Sequence, residues 1–210
     1  MRKFYTFAVL AAVVSAGFIS CSKDNPGKED DPDKKNMVID TRAYDKWTYF
    51  SFEKGVIGTY TETEFDYKNN TGWDLAFHRW DVRTNGGESG KGQGGAVEST
   101  YGSLDVTSWS IRPSQFRYVT DTQIKTYMKA PDMSSESGMD QRVSVPASTE
   151  LAKWMKVTMT SIPPSYSLSN RAYAVKTASG KIAVVLFTNY MNEKAEKGYV
   201  NFEYVYPVNL

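Results

Sequence analysis

The 210-residue sequence has few of the side chains on which metal sites and nucleophilic catalysis depend. It contains one histidine, His78, and one cysteine, Cys21. Zinc signatures and His-rich metal sites need several such ligands, so this composition excludes them together with Cys/His nucleophile pairs. A Ser-His-Asp triad is disfavoured, because His78 stands among bulky apolar residues and the chain has no Gly-x-Ser-x-Gly elbow. Nothing marks a particular pair of carboxylates for glycoside hydrolysis, and we therefore predict a binding protein and not an enzyme.

The chain also lacks a charge excess and an apolar run of membrane-spanning length. Its formal net charge is +1, so no polybasic surface is indicated and nucleic acid is not expected as a partner. An apolar and small-residue run at 7–19 follows Arg2 and Lys3, and it is too short to span a bilayer comfortably. This layout is typical of a secretory signal peptide, which we assign to residues 1–20.

Cys21 stands where the apolar run ends, directly after Ser20. A lone cysteine cannot form an internal disulfide, so an oxidising compartment does not explain it. A small residue before a cysteine at this place resembles a relaxed lipobox, and we predict that Cys21 is lipidated. The alternative is ordinary signal cleavage that leaves a free thiol. Buried acyl chains contribute about 0.8 kcal/mol per methylene, so several chains would anchor the protein firmly.

Residues 21–36 are predicted to be the lipidated cysteine and a disordered tether. Positions 22–36 have no aliphatic or aromatic side chain, so burial cannot offset the entropy lost on ordering them. The Ser-Lys-Asp that follows Cys21 resembles the short tags that route some Gram-negative lipoproteins to the cell surface. The alternative interpretation is a solvated spacer.

Residues 37–210 are rich in Tyr, Phe, Trp, Val and Thr with frequent Gly and Asn, which predicts a single all-β domain. We expect at most one or two short helices, one of them capped by Ser148 and ending near Met155. The glycine-rich segment 88–95 does not complete a phosphate-binding pattern and is predicted to be a mobile loop, and 162–165 must be extended. The predicted strands are 47–52, 59–67, 73–82, 103–111, 115–119, 172–177, 182–189 and 199–206.

Three stretches of the sequence form a specific combination: WDLAFHRWDVRTNGG at 73–87, IPPSYSLSNR at 162–171 and KGY at 197–199. Together they resemble the HmuY-type haem-binding lipoproteins. The resemblance covers essentially all of 37–210. It implies an all-β, hand-shaped domain of antiparallel strands that grips a haem between two projections. It also implies a surface lipoprotein of the outer membrane that acquires iron by passing haem to an outer-membrane receptor.

The same resemblance leaves the axial ligands of the haem iron open, because some members use two histidines and others two methionines. This chain cannot supply two histidines, and His78 is interpreted as a buried scaffold residue. The preferred ligand pair is Met133 and Met159. The substitutes are Met128 or Met139 for the first position and Met155 for the second. Each of these five methionines could equally be a flexible core residue.

Aromatic residues near the candidate methionines are expected to line the haem pocket. Tyr127, Trp154 and Tyr166 are candidate pocket residues, with plain core packing as the alternative. Host haem proteins are expected as donors, and release from the cell is an alternative to surface display. Two other functions fit a lipoprotein rich in aromatic residues: a surface glycan-binding β-sandwich without a cofactor, and a structural or adhesive subunit.

Overall fold

Antiparallel strands dominate the computed structural model, which describes residues 33–132, 134, 141–158 and 165–208. The strands are β1 (Lys34–Asp40), β2 (Trp47–Ser51), β3 (Gly55–Tyr60), β4 (Leu75–His78), β5 (Asp81–Thr84), β6 (Gly95–Glu98), β7 (Thr122–Thr126), β8 (Val143–Ala147), β9 (Met155–Thr158), β10 (Ser165–Leu168), β11 (Ala172–Lys176), β12 (Ile182–Met191) and β13 (Lys197–Val205). Short 3₁₀ helices cover Gly87–Ser89, Val106–Ser108, Pro113–Gln115 and Leu151–Trp154. None of the helices in these ranges has the length and apolar character needed to cross a membrane.

The strands form two large sheets and two ribbons. One large sheet has five strands in the order β1-β13-β12-β11-β6, and the other has four in the order β3-β2-β4-β5. Ribbon 1 is the β7–β8 pair and ribbon 2 is the β9–β10 pair, each a two-stranded sheet of its own. Neighbouring strands are antiparallel, and the predicted all-β class is confirmed.

Aromatic rings from both large sheets fill the main core. Phe50 and Phe77 come from the four-stranded sheet, and their rings lie 5.6 and 5.4 Å from the ring of Phe202 in the five-stranded sheet. All three side chains are buried. Ring pairs of this kind add about 0.5–1.5 kcal/mol each beyond the burial of their surface. The two sheets are therefore held face to face by a network of aromatic contacts.

The other face of the four-stranded sheet is covered by ribbon 1. Side chains alternate along a strand, so Trp47 and Tyr49 of β2 point away from Phe50. They are buried in a second cluster together with Val145 and Ala147 of β8. Because both of its faces are covered, β2 is buried along its whole length.

The prediction of a single strand at 73–82 is wrong, because the chain reverses within this range. β4 and β5 are the two arms of a hairpin whose turn is Arg79 and Trp80. Arg79 has a φ of 53°, a conformation for which such turns normally use glycine, so the sequence carries no turn signal here. The Arg79 carbonyl accepts a 2.8 Å hydrogen bond from the Thr41 hydroxyl, and its guanidinium stacks 4.4 Å above the Tyr44 ring. These contacts stabilise the turn.

The predicted strand 103–111 is also wrong. The Asp105 carboxylate accepts a 2.9 Å hydrogen bond from the Thr107 amide, which turns the chain into the helix Val106–Ser108. This local bond competes with strand formation, as is common for aspartate.

Two other predicted strands, 115–119 and 59–67, are largely wrong. Only Val119 of the first pairs, in an isolated bridge with Ala96. The second ends at Tyr60, because the next amide, of Thr61, donates to the Glu64 carboxylate at 2.8 Å and starts a turn.

Other predictions are confirmed. The predicted strands 172–177 and 182–189 correspond to β11 and β12, which pair as a hairpin, and the predicted strand 199–206 corresponds to β13. The Ser148 hydroxyl accepts a 3.1 Å hydrogen bond from the Leu151 amide at the start of the short helix. Of the segment 162–165, only Ser165 lies within the described residues, as the first residue of β10.

The glycine-rich segment, predicted to be a mobile loop, is in part packed against Asn85, while Glu88, Lys91 and Gln93 are exposed. The Asn85 side chain is fully buried and accepts a 3.1 Å hydrogen bond from the Gly92 amide, while its carbonyl accepts one of 2.8 Å from Gly94. A Cβ at Gly94 would lie 2.5 Å from the Asn85 backbone, so glycine is required there. The segment therefore wraps closely around Asn85.

Candidate functional site

The two ribbons carry the connections that contain the candidate methionines. In ribbon 1 the last described pair is Thr126 with Val143, and Met128 follows two residues after this pair. In ribbon 2 the last pair is Thr158 with Ser165, directly before Met159. Each ribbon is a sheet separate from the body, so each connection is supported by two strands only.

The base of ribbon 1 is fixed by a buried arginine. The Arg83 side chain is fully buried, and its Nε donates a 2.7 Å hydrogen bond to the carbonyl of Pro146 in β8. Its guanidinium lies 3.7 Å from the Trp47 ring centroid and forms an ion pair of 2.6 Å with Glu62. Arg83 therefore ties ribbon 1 to the four-stranded sheet.

A buried carboxylate holds the start of β7. Asp121 accepts hydrogen bonds from the Thr84 amide at 2.8 Å, the Thr84 hydroxyl at 2.6 Å and the Ser89 hydroxyl at 2.6 Å. Burial raises the pKa of Asp121 to about 6, although the Ser89 and Thr84 hydrogen bonds oppose this shift. The entry of the chain into ribbon 1 therefore depends on a group that changes charge in mildly acidic solution.

Ribbon 2 rests on the main core. Met155 and Leu168 face each other across it, and Met155 is 5% exposed. Trp154 is fully buried, stacks 4.7 Å from the Phe187 ring and donates from Nε1 to the Trp80 carbonyl at 2.8 Å. The base of this ribbon is therefore part of the hydrophobic core.

The preferred ligands Met133 and Met159, and the substitute Met139, lie outside the described residues, as does Cys21. The substitute Met155 is packed in the core. The substitute Met128 is half-buried and packs against the second cluster. The two candidate methionines that the structure describes therefore lie in different clusters, and their role as ligands stays a prediction.

The three predicted pocket residues differ in environment. Trp154 is enclosed in the core, whereas Tyr127 and Tyr166 are half-buried. The Tyr166 ring lies 6.3 Å from Trp80, and the Lys197 ammonium lies 4.4 Å from the Tyr166 centroid. Tyr166 is thus an aromatic ring with a cation over it, one residue pair from the open end of ribbon 2.

His78 is a buried structural residue. Its side chain is 0% exposed, and its Nε2 lies 2.7 Å from the Tyr44 carbonyl. Its Nδ1 is 3.8 Å from the Asp81 carboxylate, which accepts a hydrogen bond from the Thr126 hydroxyl. Within the described ranges, no group of three or more His, Cys, Asp or Glu side chains is arranged to hold a metal ion.

A cavity lies where ribbon 1 opens toward its connection. It has a volume of about 380 Å³. Its lining residues are Met128, Lys129, Gln141, Arg142 and Val143. An opening that combines apolar and cationic side chains can accept an amphipathic anion.

The amino-acid sequence matches the HmuY protein family over residues 43–204. This match covers most of the chain. The chain belongs to the HmuY family. The matched range includes every candidate methionine and pocket residue, whereas Cys21 precedes it. No curated protein matches the chain.

Solved structures of similar proteins agree with the HmuY assignment. A Bacteroides vulgatus protein described as HmuY-like and haem-binding is 30% identical, with a TM-score of 0.68 over 85% of this chain and 94% of that one. A Bacteroides fragilis protein described as a lipoprotein is 26% identical, with a TM-score of 0.67 over 87% and 94%. The apo form of a HmuY analogue from Tannerella forsythia is 25% identical, with a TM-score of 0.59 over 81% and 94%.

Sequence reasoning missed the cavity of ribbon 1 in this HmuY-family chain. The sequence does not predict β7 and β8, whose pairing brings Lys129, Arg142 and Val143 together. Nothing in the sequence therefore indicated that these three residues are neighbours. The available signal was the pair of cations on either side of the polar segment that contains Met133 and Met139. Charge alone is a weak signal, because most charged residues are simply solvated.

Proposed function

We propose that this HmuY-family chain binds haem outside the cytoplasm and holds it between the connections of its two ribbons. The observation that carries this proposal is the arrangement of the ribbons, which are two separate two-stranded sheets on one body with an aromatic core. The description of a 30% identical protein of the same fold as haem-binding supports it. The cavity of ribbon 1 adds an apolar and cationic surface that suits a haem with its carboxylates.

Met133 and Met159 are the proposed axial ligands. The chain's only histidine is buried and bonded to the Tyr44 carbonyl, so a histidine ligand would require the core to open. Met155 would likewise have to leave the core. Thioether sulfur is a soft, neutral donor that haem proteins use as an axial ligand. Met128 remains the substitute in ribbon 1.

A hemin titration tests haem binding directly. The purified chain is titrated with hemin at micromolar concentration while the Soret and visible bands are recorded. The controls are hemin in buffer without protein and hemin with a β-sandwich protein of unrelated sequence. We expect saturable bands that free hemin and the control protein do not give. Unchanged spectra would contradict haem binding and favour the alternative of a glycan-binding lipoprotein.

We further propose that acyl chains on Cys21 anchor the chain to the outer membrane and that it passes haem to a receptor there. The lipoprotein description of the Bacteroides fragilis relative supports the anchor. Metabolic labelling with a palmitate analogue should mark the wild-type chain and leave the Cys21→Ala variant unlabelled. Equal labelling of both chains, or of neither, would contradict lipidation at this cysteine.

A further inference from the structure

The cavity of ribbon 1 exposes apolar surface, whereas the other exposed positions of the ribbon strands are polar. Val143, on its lining, is 44% exposed and is one of a few large hydrophobic side chains with such exposure among the described residues. The other exposed positions of β7 and β8 are polar: Thr122, Gln123, Lys125 and Ser144. An exposed valine beside a half-buried methionine is an apolar surface that an apolar ligand can cover.

The cations of the cavity stand directly beside this apolar surface. Lys129 and Arg142 both line it, and no ion pair recorded within the described ranges uses Lys129. The nearby Asp132 carboxylate is engaged in its own turn, where it accepts hydrogen bonds from the Ser134 amide at 2.9 Å and hydroxyl at 2.6 Å. The Ser134 hydrogen bonds lower the pKa of Asp132, and the Lys129 ammonium lowers it further, so Lys129 and this exposed carboxylate attract each other across solvent. The cavity thus places two cations, Lys129 and Arg142, beside its apolar side chains.

An ammonium and a guanidinium next to apolar side chains match the edge of a porphyrin that carries carboxylates. Carboxylates form charge-assisted hydrogen bonds with both groups, and the ring itself needs apolar contacts. We propose that Lys129 and Arg142 bind the carboxylates of the porphyrin while Met128 and Val143 contact its ring. This inference rests on the proposed haem binding and adds a ligand class, namely porphyrins with free carboxylates.

The test compares hemin with its dimethyl ester, in which the carboxylates are blocked. The full chain is titrated with each ligand at low and at high ionic strength. We expect wild type to bind hemin roughly three- to tenfold more tightly than the ester, the range that two partly exposed ion pairs provide. The preference should shrink as salt rises, because exposed charges are screened.

Variants assign the preference to the two cations. Lys129→Gln with Arg142→Gln should bind hemin and ester equally, by weakening hemin binding alone. The charge-conserving pair Lys129→Arg with Arg142→Lys should keep most of the preference. Lys125→Gln is the matched control: it removes the same charge from the same ribbon, but Lys125 does not line the cavity. It should behave as wild type.

The outcomes distinguish failure of the carboxylate site from failure of the proposed haem binding. If wild type binds neither ligand, the proposed haem binding fails. If wild type binds both equally, or if Lys125→Gln loses the preference as fully as the double variant, haem binding stands and the carboxylate site is wrong. Loss of the preference in Lys197→Gln alone would likewise overturn the assignment, because it would place the carboxylates at Lys197, which lies over the Tyr166 ring of ribbon 2.

Discussion

The body and the ribbons of this chain differ in how their strands are buried. β2, β4 and β5 of the body are buried at every position. In ribbon 2, β10 alternates between exposed serines and half-buried Tyr166 and Leu168. Buried aromatic surface is the main source of folding free energy. We therefore expect the body to determine stability, and the ribbons to determine binding.

The largest expected effect is on the body. Phe202→Ala removes a ring that contacts Phe50, Phe77 and Phe187, and it should lower the free energy of unfolding by about 3–5 kcal/mol. Val143→Ala in ribbon 1 should change it by less than about 0.5 kcal/mol, because the side chain is largely exposed. Urea unfolding of both variants measures the contrast, and similar losses would contradict the expectation that the exposed end of ribbon 1 contributes little to stability.

A smaller effect is expected from Asp121, which links the two regions. Its pKa is about 6 in the folded protein and about 3.9 in an unfolded chain. The folded state thus binds the proton more tightly, so this carboxyl stabilises folding below pH 4, and that contribution is lost as pH rises through 6.

Asp121→Asn should remove a pH dependence on the order of 2–3 kcal/mol between pH 4 and pH 7. Urea unfolding of wild type and variant across this range measures the difference in slope, whatever the absolute cost of the substitution. Val56→Ala, which shortens a 50% exposed apolar side chain and removes no hydrogen-bonding group, is the control and should leave the slope unchanged. Parallel pH profiles for wild type and Asp121→Asn would contradict the burial argument.

The smallest effect on stability is expected from substitution of the two proposed iron ligands, which should instead weaken haem binding. Met133→Ala and Met159→Ala should each weaken haem binding on the order of tenfold or more, a loss of about 1.4 kcal/mol or more, by removing an iron ligand. Their free energies of unfolding should stay within about 0.5 kcal/mol of wild type. Met191→Ala, in β12 of the body, is the control for binding. Unchanged haem spectra in both ligand variants would contradict the assigned pair.

The body was easier to predict from the sequence than the ribbons. The β11–β12 hairpin has a clear turn at 178–181 between apolar runs, and tertiary packing agrees with that local signal. The β4–β5 hairpin was missed because Arg79 adopts the left-handed conformation without glycine, held by contacts with Thr41 and Tyr44 that are distant in sequence. Such contacts leave no local pattern.

The ribbons could not be predicted because their strands are short and their burial depends on contacts with the body. β7 to β10 are only four or five residues long, and their apolar faces are completed by side chains of the body. The preferred ligands Met133 and Met159 were chosen from ligand chemistry and family resemblance, and they lie outside the described residues. The cavity of ribbon 1 required three-dimensional pairing to bring Lys129 and Arg142 together.

The most direct test of haem binding through two thioethers is the affinity of the chain for ferric and ferrous haem. Neutral, soft sulfur favours the ferrous state and raises the reduction potential of the iron. Titrations of wild type with hemin, with and without dithionite, should therefore show tighter binding of ferrous haem, and Met133→Ala and Met159→Ala should reduce that preference. Equal or tighter binding of ferric haem by wild type would contradict methionine ligation.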